Sequence, residues 1–193
     1  MKILEPNIDS IFNIKNDQEF ETLALQVFNY QYSKNIVYRQ FVDLLNIKVS
    51  NVNKVLEIPF LPISFFKTHE VTIGNKEDVV FKSSGTTGQL RSQHKVSDVS
   101  IYENSFIKGF ENFYGKIEEY CFLALLPSYM EQGESSLVYM VEDFVQKTQH
   151  NGSGFYLNNF KDLNEKIKEL ESQKKKYILP VWHKKVTKLG VNA

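Results

Sequence analysis

The 193-residue sequence predicts an α/β fold: a helical N-terminal portion, then a mixed or parallel sheet flanked by helices. Two observations carry this. Apolar residues recur at helical spacing through the first third of the chain, and from about Asp78 short apolar runs alternate with amphipathic stretches. Composition agrees, since 42% apolar residues with fifteen Phe and ten Tyr supply a substantial core.

The elements follow in order. Phe20, Leu23, Ala24, Val27 and Phe28 fall at i, i+3, i+4, i+7 and i+8, one face of a helix. Asn16 with Glu19 three residues on resembles a capping box at its start. Val37, Phe41, Leu44 and Leu45 repeat the spacing in a second helix. Pro59 and Pro62 then make residues 58–63 extended, because a residue before proline is pushed out of the helical region.

Val79, Val80 and Phe81 form a short strand candidate, followed by a Ser/Thr/Gly loop. Val99, Tyr102, Phe106, Phe110 and Phe113 mark a helical face beginning after a cap at Ser97 or Asp98. Cys121 to Leu126 reads as a buried strand ended by Pro127. Leu137, Val141, Phe144 and Val145 mark another helix, and Phe155 to Leu157 a strand after two glycines. Leu163, Ile167 and Leu170 mark a third amphipathic helix, with Asp162 and Lys166 at a favourable i, i+4 spacing. Lys174 to Lys176 read as a solvated helix end. Tyr177 to Leu179 begin a last strand that Pro180 interrupts. The four strand segments near Val79, Cys121, Phe155 and Tyr177 are expected to build the sheet.

Charge and cysteine content narrow the function classes. Lys+Arg and Asp+Glu are both 23, which gives no electrostatic reason to expect a nucleic-acid partner. One cysteine excludes an intrachain disulfide and a cysteine-rich zinc site, and no metal-ligand set stands out. No run approaches the ~20 apolar residues that span a bilayer, and no secretory signal opens the chain, so the expected compartment is the cytoplasm.

The stretch from Val79 to Arg91 is the most informative. Its loop, Ser83, Ser84, Gly85, Thr86, Thr87 and Gly88, combines backbone freedom with hydroxyl donors. Such a loop can cradle the phosphates of a nucleotide, or it can be a flexible polar turn. It is not a Walker A loop, because Gly85 and Gly88 are too close and no Lys-Ser/Thr pair follows.

The ordering of these residues, with Arg91 three positions after Gly88, resembles the phosphate loop of adenylate-forming enzymes of the acyl-CoA synthetase and luciferase superfamily; those usually have Lys where this chain has Arg91. A narrower resemblance spans about Phe20 to Tyr177. The segment from Ile58 to Lys67, the loop with Arg91, Ser92, Gln93 and His94, and the stretches Leu125 to Glu131 and Ser135 to Met140 look like the LuxE-type acyl-protein synthetases, the fatty-acid ligase components of bacterial bioluminescence.

That resemblance implies part of an adenylate-forming large domain and an ATP- and Mg²⁺-dependent reaction. A fatty acid or other acyl carboxylate attacks the α-phosphate of ATP, and the acyl group of the resulting adenylate passes to a protein thiol and onward to an acyl-reductase-type protein partner. It implies phosphate contacts from Ser83, Ser84, Gly85, Thr86, Thr87, Gly88 and Arg91, and a substrate-side turn at Ser128 and Tyr129. Lys67 and His94 fall in resembling segments but receive no role, and each is equally read as a surface residue. Cys121 lies in an apolar run and reads as a buried small hydrophobe rather than the acyl carrier. The family's adenine site and acyl-carrying cysteine are not located, so residues 1–177 are expected to be the N-terminal part of such an enzyme, with 178–193 a divergent tail, and whether the 193 residues are active is left open. A non-catalytic remnant that binds a partner or nucleotide is the alternative.

Overall fold

The computed structural model describes residues 5–83, 91–127 and 133–181 of the chain, a mixed helix-and-sheet protein. It divides into two compact units, Met1–Ser105 and Phe106–Ala193.

The first unit opens with a short helix, α1 (Ile8–Ile11), and then α2 (Asp17–Lys34) and α3 (Ile36–Leu44). A cap close to the expected box starts α2, with its return backbone bond made from Lys15 rather than from Asn16. The Asn16 side chain accepts from the Glu19 N–H at 2.9 Å, while the Glu19 carboxylate accepts from the Lys15 N–H at 2.9 Å. Asn35 serves as both the C-cap of α2 and the N-cap of α3, its side chain accepting from the buried Tyr38 N–H.

The core of this pair is Phe28, Tyr38, Val42 and Val52, with Ile58 and Leu61 of the proline segment packed on it. The face of α3 therefore differs from the expected one: Tyr38 and Val42 point inward, while Leu44 is 81% exposed. Leu44 lies within α3 about 200° round the helix from Val42 and so faces solvent, while Leu45 follows the helix and Asn46 (φ 55°) turns the chain away. The Tyr38 hydroxyl donates to the Pro59 carbonyl at 2.9 Å, which ties residues 58–63 to the helices, and burial pushes its phenol up to about 12.

A one-turn helix, α4 (Phe65–Thr68), precedes the strands β1 (Val79–Lys82) and β2 (Gln93–Val96), which pair antiparallel. Helix α5 (Val99–Tyr114) follows. Asp98 caps it, accepting from the Ser100 N–H at 3.0 Å, and Asp78 accepts from the Val99 N–H at 3.2 Å.

The second unit holds a three-stranded parallel sheet in the order β4-β3-β5, made of β3 (Cys121–Ala124), β4 (Gly154–Phe155) and β5 (Tyr177–Ile178). Helix α6 (Ser136–Lys147) links β3 to β4, and α7 (Phe160–Ser172) links β4 to β5. Strand alternation sends successive β3 side chains to opposite faces. Cys121, Leu123 and Leu125 pack with Leu163 and Leu170 of α7, and Phe122 packs with Phe144 of α6 while Ala124 and Leu126 pack with Val141. The two helices thus cover opposite faces, as right-handed crossovers in opposite directions require.

Three expectations change here. The Val79 segment does not join the sheet of Cys121, Phe155 and Tyr177; it pairs with Gln93–Val96, a strand whose polar sequence lacks apolar alternation. Lys166 pairs with Glu169 at 2.6 Å instead of Asp162, whose carboxylate is held by the Asn159 side-chain amide at the start of α7. The lysine cluster is only partly a solvated end, since Lys176 pairs with Glu119 at 2.7 Å and lies over the Tyr120 ring.

Pro180 acts as expected, with an added detail. The β3–β5 register continues to a bridge between Leu125 and Val181, where the Leu125 N–H donates to the Pro180 carbonyl at 2.9 Å. In that register residue 180 would donate to the Leu123 carbonyl, and proline has no N–H to give. The strand therefore breaks at one rung and resumes at the next. Among the described residues no helix is long and apolar enough to cross a membrane.

Candidate functional site

The β1–β2 pair presents the Ser/Thr/Gly loop. Val79, Val80 and Phe81 are β-branched or aromatic, and they align with Val96, Lys95 and His94, with Lys82 opposite Gln93. The pairing continues one step beyond the strands. The Ser83 N–H donates to the Ser92 carbonyl at 3.0 Å, and the Ser92 N–H donates to the Ser83 hydroxyl oxygen at 3.0 Å. Arg91 Nε donates to the Ser83 carbonyl at 2.6 Å.

Ser83 is thus the neck of the loop. Its amide, carbonyl and hydroxyl oxygen all bond to the returning chain, and the Ser92 bond uses a lone pair of the hydroxyl rather than its proton. The Arg91 bond uses one of five guanidinium N–H donors. Of the expected phosphate contacts, the structure brings Ser83 and Arg91 together; Ser84, Gly85, Thr86, Thr87 and Gly88 lie outside the described residues.

The two faces of the pair differ in chemistry. Val80, Lys82, Gln93 and Lys95 share one face by alternation. There Lys95 pairs with Glu70 at 2.7 Å and Glu77 at 3.3 Å, and both carboxylates raise its ammonium above the ordinary value. The other face carries Val79, Phe81, His94 and Val96, and it continues into Ser83 and Ser92. Phe81 is buried and meets Tyr102 of α5 with ring centroids 5.2 Å apart. The His94 ring stands edge-on to Phe66 of α4 at 5.2 Å, and partial burial lowers its imidazole below the ordinary value. Lys67, one residue on in α4, is exposed.

The second candidate region belongs to the second unit. It lies beyond the carboxyl end of the central strand β3, whose two faces are covered by α6 and α7. Pro127 is buried at the end of β3, and Ser135 caps α6, accepting from the Val138 N–H. Ser128 and Tyr129 follow Pro127 but lie outside the described residues.

Cys121 is fully buried, as expected. The Ser153 hydroxyl donates to its sulfur at 3.6 Å, and burial raises the thiol above its ordinary value. A buried neutral thiol is a poor nucleophile, so the one cysteine of the chain is a packing residue. Among the described residues no group of three or more His, Cys, Asp or Glu side chains converges to hold a metal ion.

Sequence reasoning missed Ser92 as the partner of Ser83, because a strand of polar residues carries no hydrophobic signal; the weak clue is its alternation with Val96. No family model, curated protein or solved structure matches the chain.

Proposed function

We propose that the chain contributes to ATP-dependent activation of a fatty acid or other acyl carboxylate as its adenylate, as part of an adenylate-forming domain of the LuxE-like type. The observation that supports it most is the neck: Ser83 and Ser92 close the hairpin and Arg91 is held against the base of a Ser/Thr/Gly connection. Such a connection offers backbone amides, hydroxyls and a fixed cation to one polyphosphate. The carboxylate attacks the α-phosphate, and charge neutralisation of the departing pyrophosphate lowers the barrier. Mg²⁺ bound with the nucleotide would supply further neutralisation.

Acyl transfer then needs a thiol, and Cys121 is sealed in the core. In this reading the acyl group passes to a protein thiol other than Cys121 and onward to an acyl-reductase-type protein partner. The same burial favours a second reading, a non-catalytic protein that binds nucleotide or partner through the same hairpin.

Octanoate-dependent exchange of labelled pyrophosphate into ATP separates the two. The adenylation reading expects exchange by the chain, and a loss of roughly 10- to 150-fold per charge-assisted hydrogen bond removed in Thr86→Ala/Thr87→Ala, at ~1.5–3 kcal/mol each. No exchange with retained ATP binding supports the binding protein. Parental exchange in the double variant removes the loop from the chemistry.

A further inference from the structure

The imidazole-bearing face of the hairpin has a distinct composition. Strand alternation places Phe81, Ser83, Ser92 and His94 on it, while Lys82 and Lys95 occupy the other. His94 sits where this face changes from buried, at Phe81, to exposed, at Ser83. Phe66 of α4 holds its ring edge-on at 5.2 Å. Neither ring nitrogen of His94 has a hydrogen-bond partner among the described residues. The charged neighbours are few: α4 contributes the exposed Lys67, and the His69 that follows it is occupied with the Thr68 hydroxyl and stacked on Phe65.

We propose that His94 receives the carboxylate of an aliphatic acid substrate, donating one ring N–H to a carboxylate oxygen while Phe66 lies beside the first methylenes. The inference rests on the adenylation reading for its purpose, though not for the contact itself. The physical case compares two anions. A polyphosphate carries several charges and is matched by cations and clustered amides, as at the Arg91 neck. A fatty acid carries one charge on an apolar chain, and a neutral imidazole framed by an aromatic ring meets both parts. The lowered imidazole favours the neutral state, in which one nitrogen donates and the other accepts. The accepting nitrogen can take a hydrogen bond from the protein or water, which fixes the tautomer.

The test uses the full 193-residue chain. The ¹H–¹⁵N imidazole resonances of His94, identified by their loss in His94→Phe, are followed while sodium octanoate is added, and separately while ATP with Mg²⁺ is added. Octanoate is expected to move them, and ATP alone to leave them within a small fraction of that shift. In octanoate-dependent pyrophosphate exchange, His94→Phe is expected to raise the KM for octanoate about 10-fold or more while the KM for ATP stays within twofold. His94→Gln, which restores a neutral donor, is expected to recover most of that loss.

Unmoved resonances, or an unchanged octanoate KM in His94→Phe, overturn the proposal even where exchange proceeds and the adenylation reading survives. Movement by octanoate in a chain that shows no exchange overturns adenylation and leaves the carboxylate contact standing.

Discussion

Arg91 reaches back across the base of its own loop to the carbonyl of Ser83, Nε to O 2.6 Å, so the cation expected to trail a phosphate loop is also the latch that closes it. Ser92 completes the latch through the Ser83 hydroxyl oxygen. The base of the hairpin is therefore tied by Ser83, Arg91 and Ser92 together.

Arg91→Lys separates these roles. Lysine keeps the charge but loses the planar fork whose Nε–H reaches the Ser83 carbonyl. The bond is near the surface, so its loss should cost no more than ~0.5–1.5 kcal/mol in urea denaturation. Octanoate-dependent pyrophosphate exchange should fall at least several-fold. A variant that loses stability and keeps exchange would make Arg91 a latch only.

Lys174 marks a site for stabilisation. At the end of α7 the Lys174 N–H bonds to the Glu171 carbonyl at 3.1 Å and the Lys175 N–H to the Leu170 carbonyl at 2.9 Å, the Schellman pattern, with Lys174 at φ 52°. A side chain in that left-handed conformation is strained, and glycine is not. Lys174→Gly should stabilise the protein by about 0.5–1 kcal/mol after the entropy of a more flexible unfolded chain is subtracted. A lower midpoint in urea would contradict this.

How much of this was legible beforehand can be judged from particular residues. The Asn16–Glu19 cap and every long helix are visible because their signals are local: a side chain three residues away, or an apolar stripe of period 3.6. The Cys121 strand is visible because both its faces are buried, which demands an unbroken apolar run. Strand β2 is not, since Gln93 and His94 are exposed and the backbone ladder with the Lys95 ion pairs holds it in place. The choice of Glu169 over Asp162 by Lys166 depends on Asn159 having engaged Asp162 as the cap of α7, a competition that spacing alone does not show. At the candidate site the loop composition pointed to Ser83 and the family resemblance to Arg91, while the bond between them follows from strand pairing and was invisible.

Cys121 should be inert to a thiol reagent such as DTNB in the native chain and react fully in denaturant, because its sulfur is fully buried. Its thiol is raised by burial, so the native state holds this proton more tightly than the unfolded state. The associated stability is present below the ordinary thiol range and is lost as pH rises through that range toward the raised folded value. Cys121→Ser should remove this alkaline dependence without lowering pyrophosphate exchange per folded molecule. Rapid labelling in buffer would place the sulfur outside the core.

His94 has the opposite pH slope. Its imidazole is lowered, so the unfolded state takes up the proton first as pH falls. Stability from this group is present above the ordinary histidine value and is lost as pH falls through it toward the lowered folded value. An NMR titration should give His94 a midpoint below that of the same histidine in urea, and an equal or higher native midpoint would contradict the partial desolvation of its ring.

Phe144 is the centre of an aromatic cluster, with ring centroids 5.3, 5.1 and 5.2 Å from Phe106, Phe110 and Phe122. Phe144→Ala should cost ~3–5 kcal/mol, the range for removing a buried aromatic ring, while Phe113→Ala, at a site 85% exposed, should cost far less. Paired urea curves check the difference.

The central position of β3 has a consequence for synthesis. Phe122 waits 31 residues for the hydroxyl of Ser153, and Glu119 waits 57 residues for its partner Lys176. A chain growing from the ribosome therefore exposes its most apolar strand, Cys121–Ala124, well before either neighbour has emerged. At ~5–20 residues per second that interval lasts several seconds. During it the nascent strand depends on the helix that follows, or on a chaperone, to stay out of intermolecular pairing.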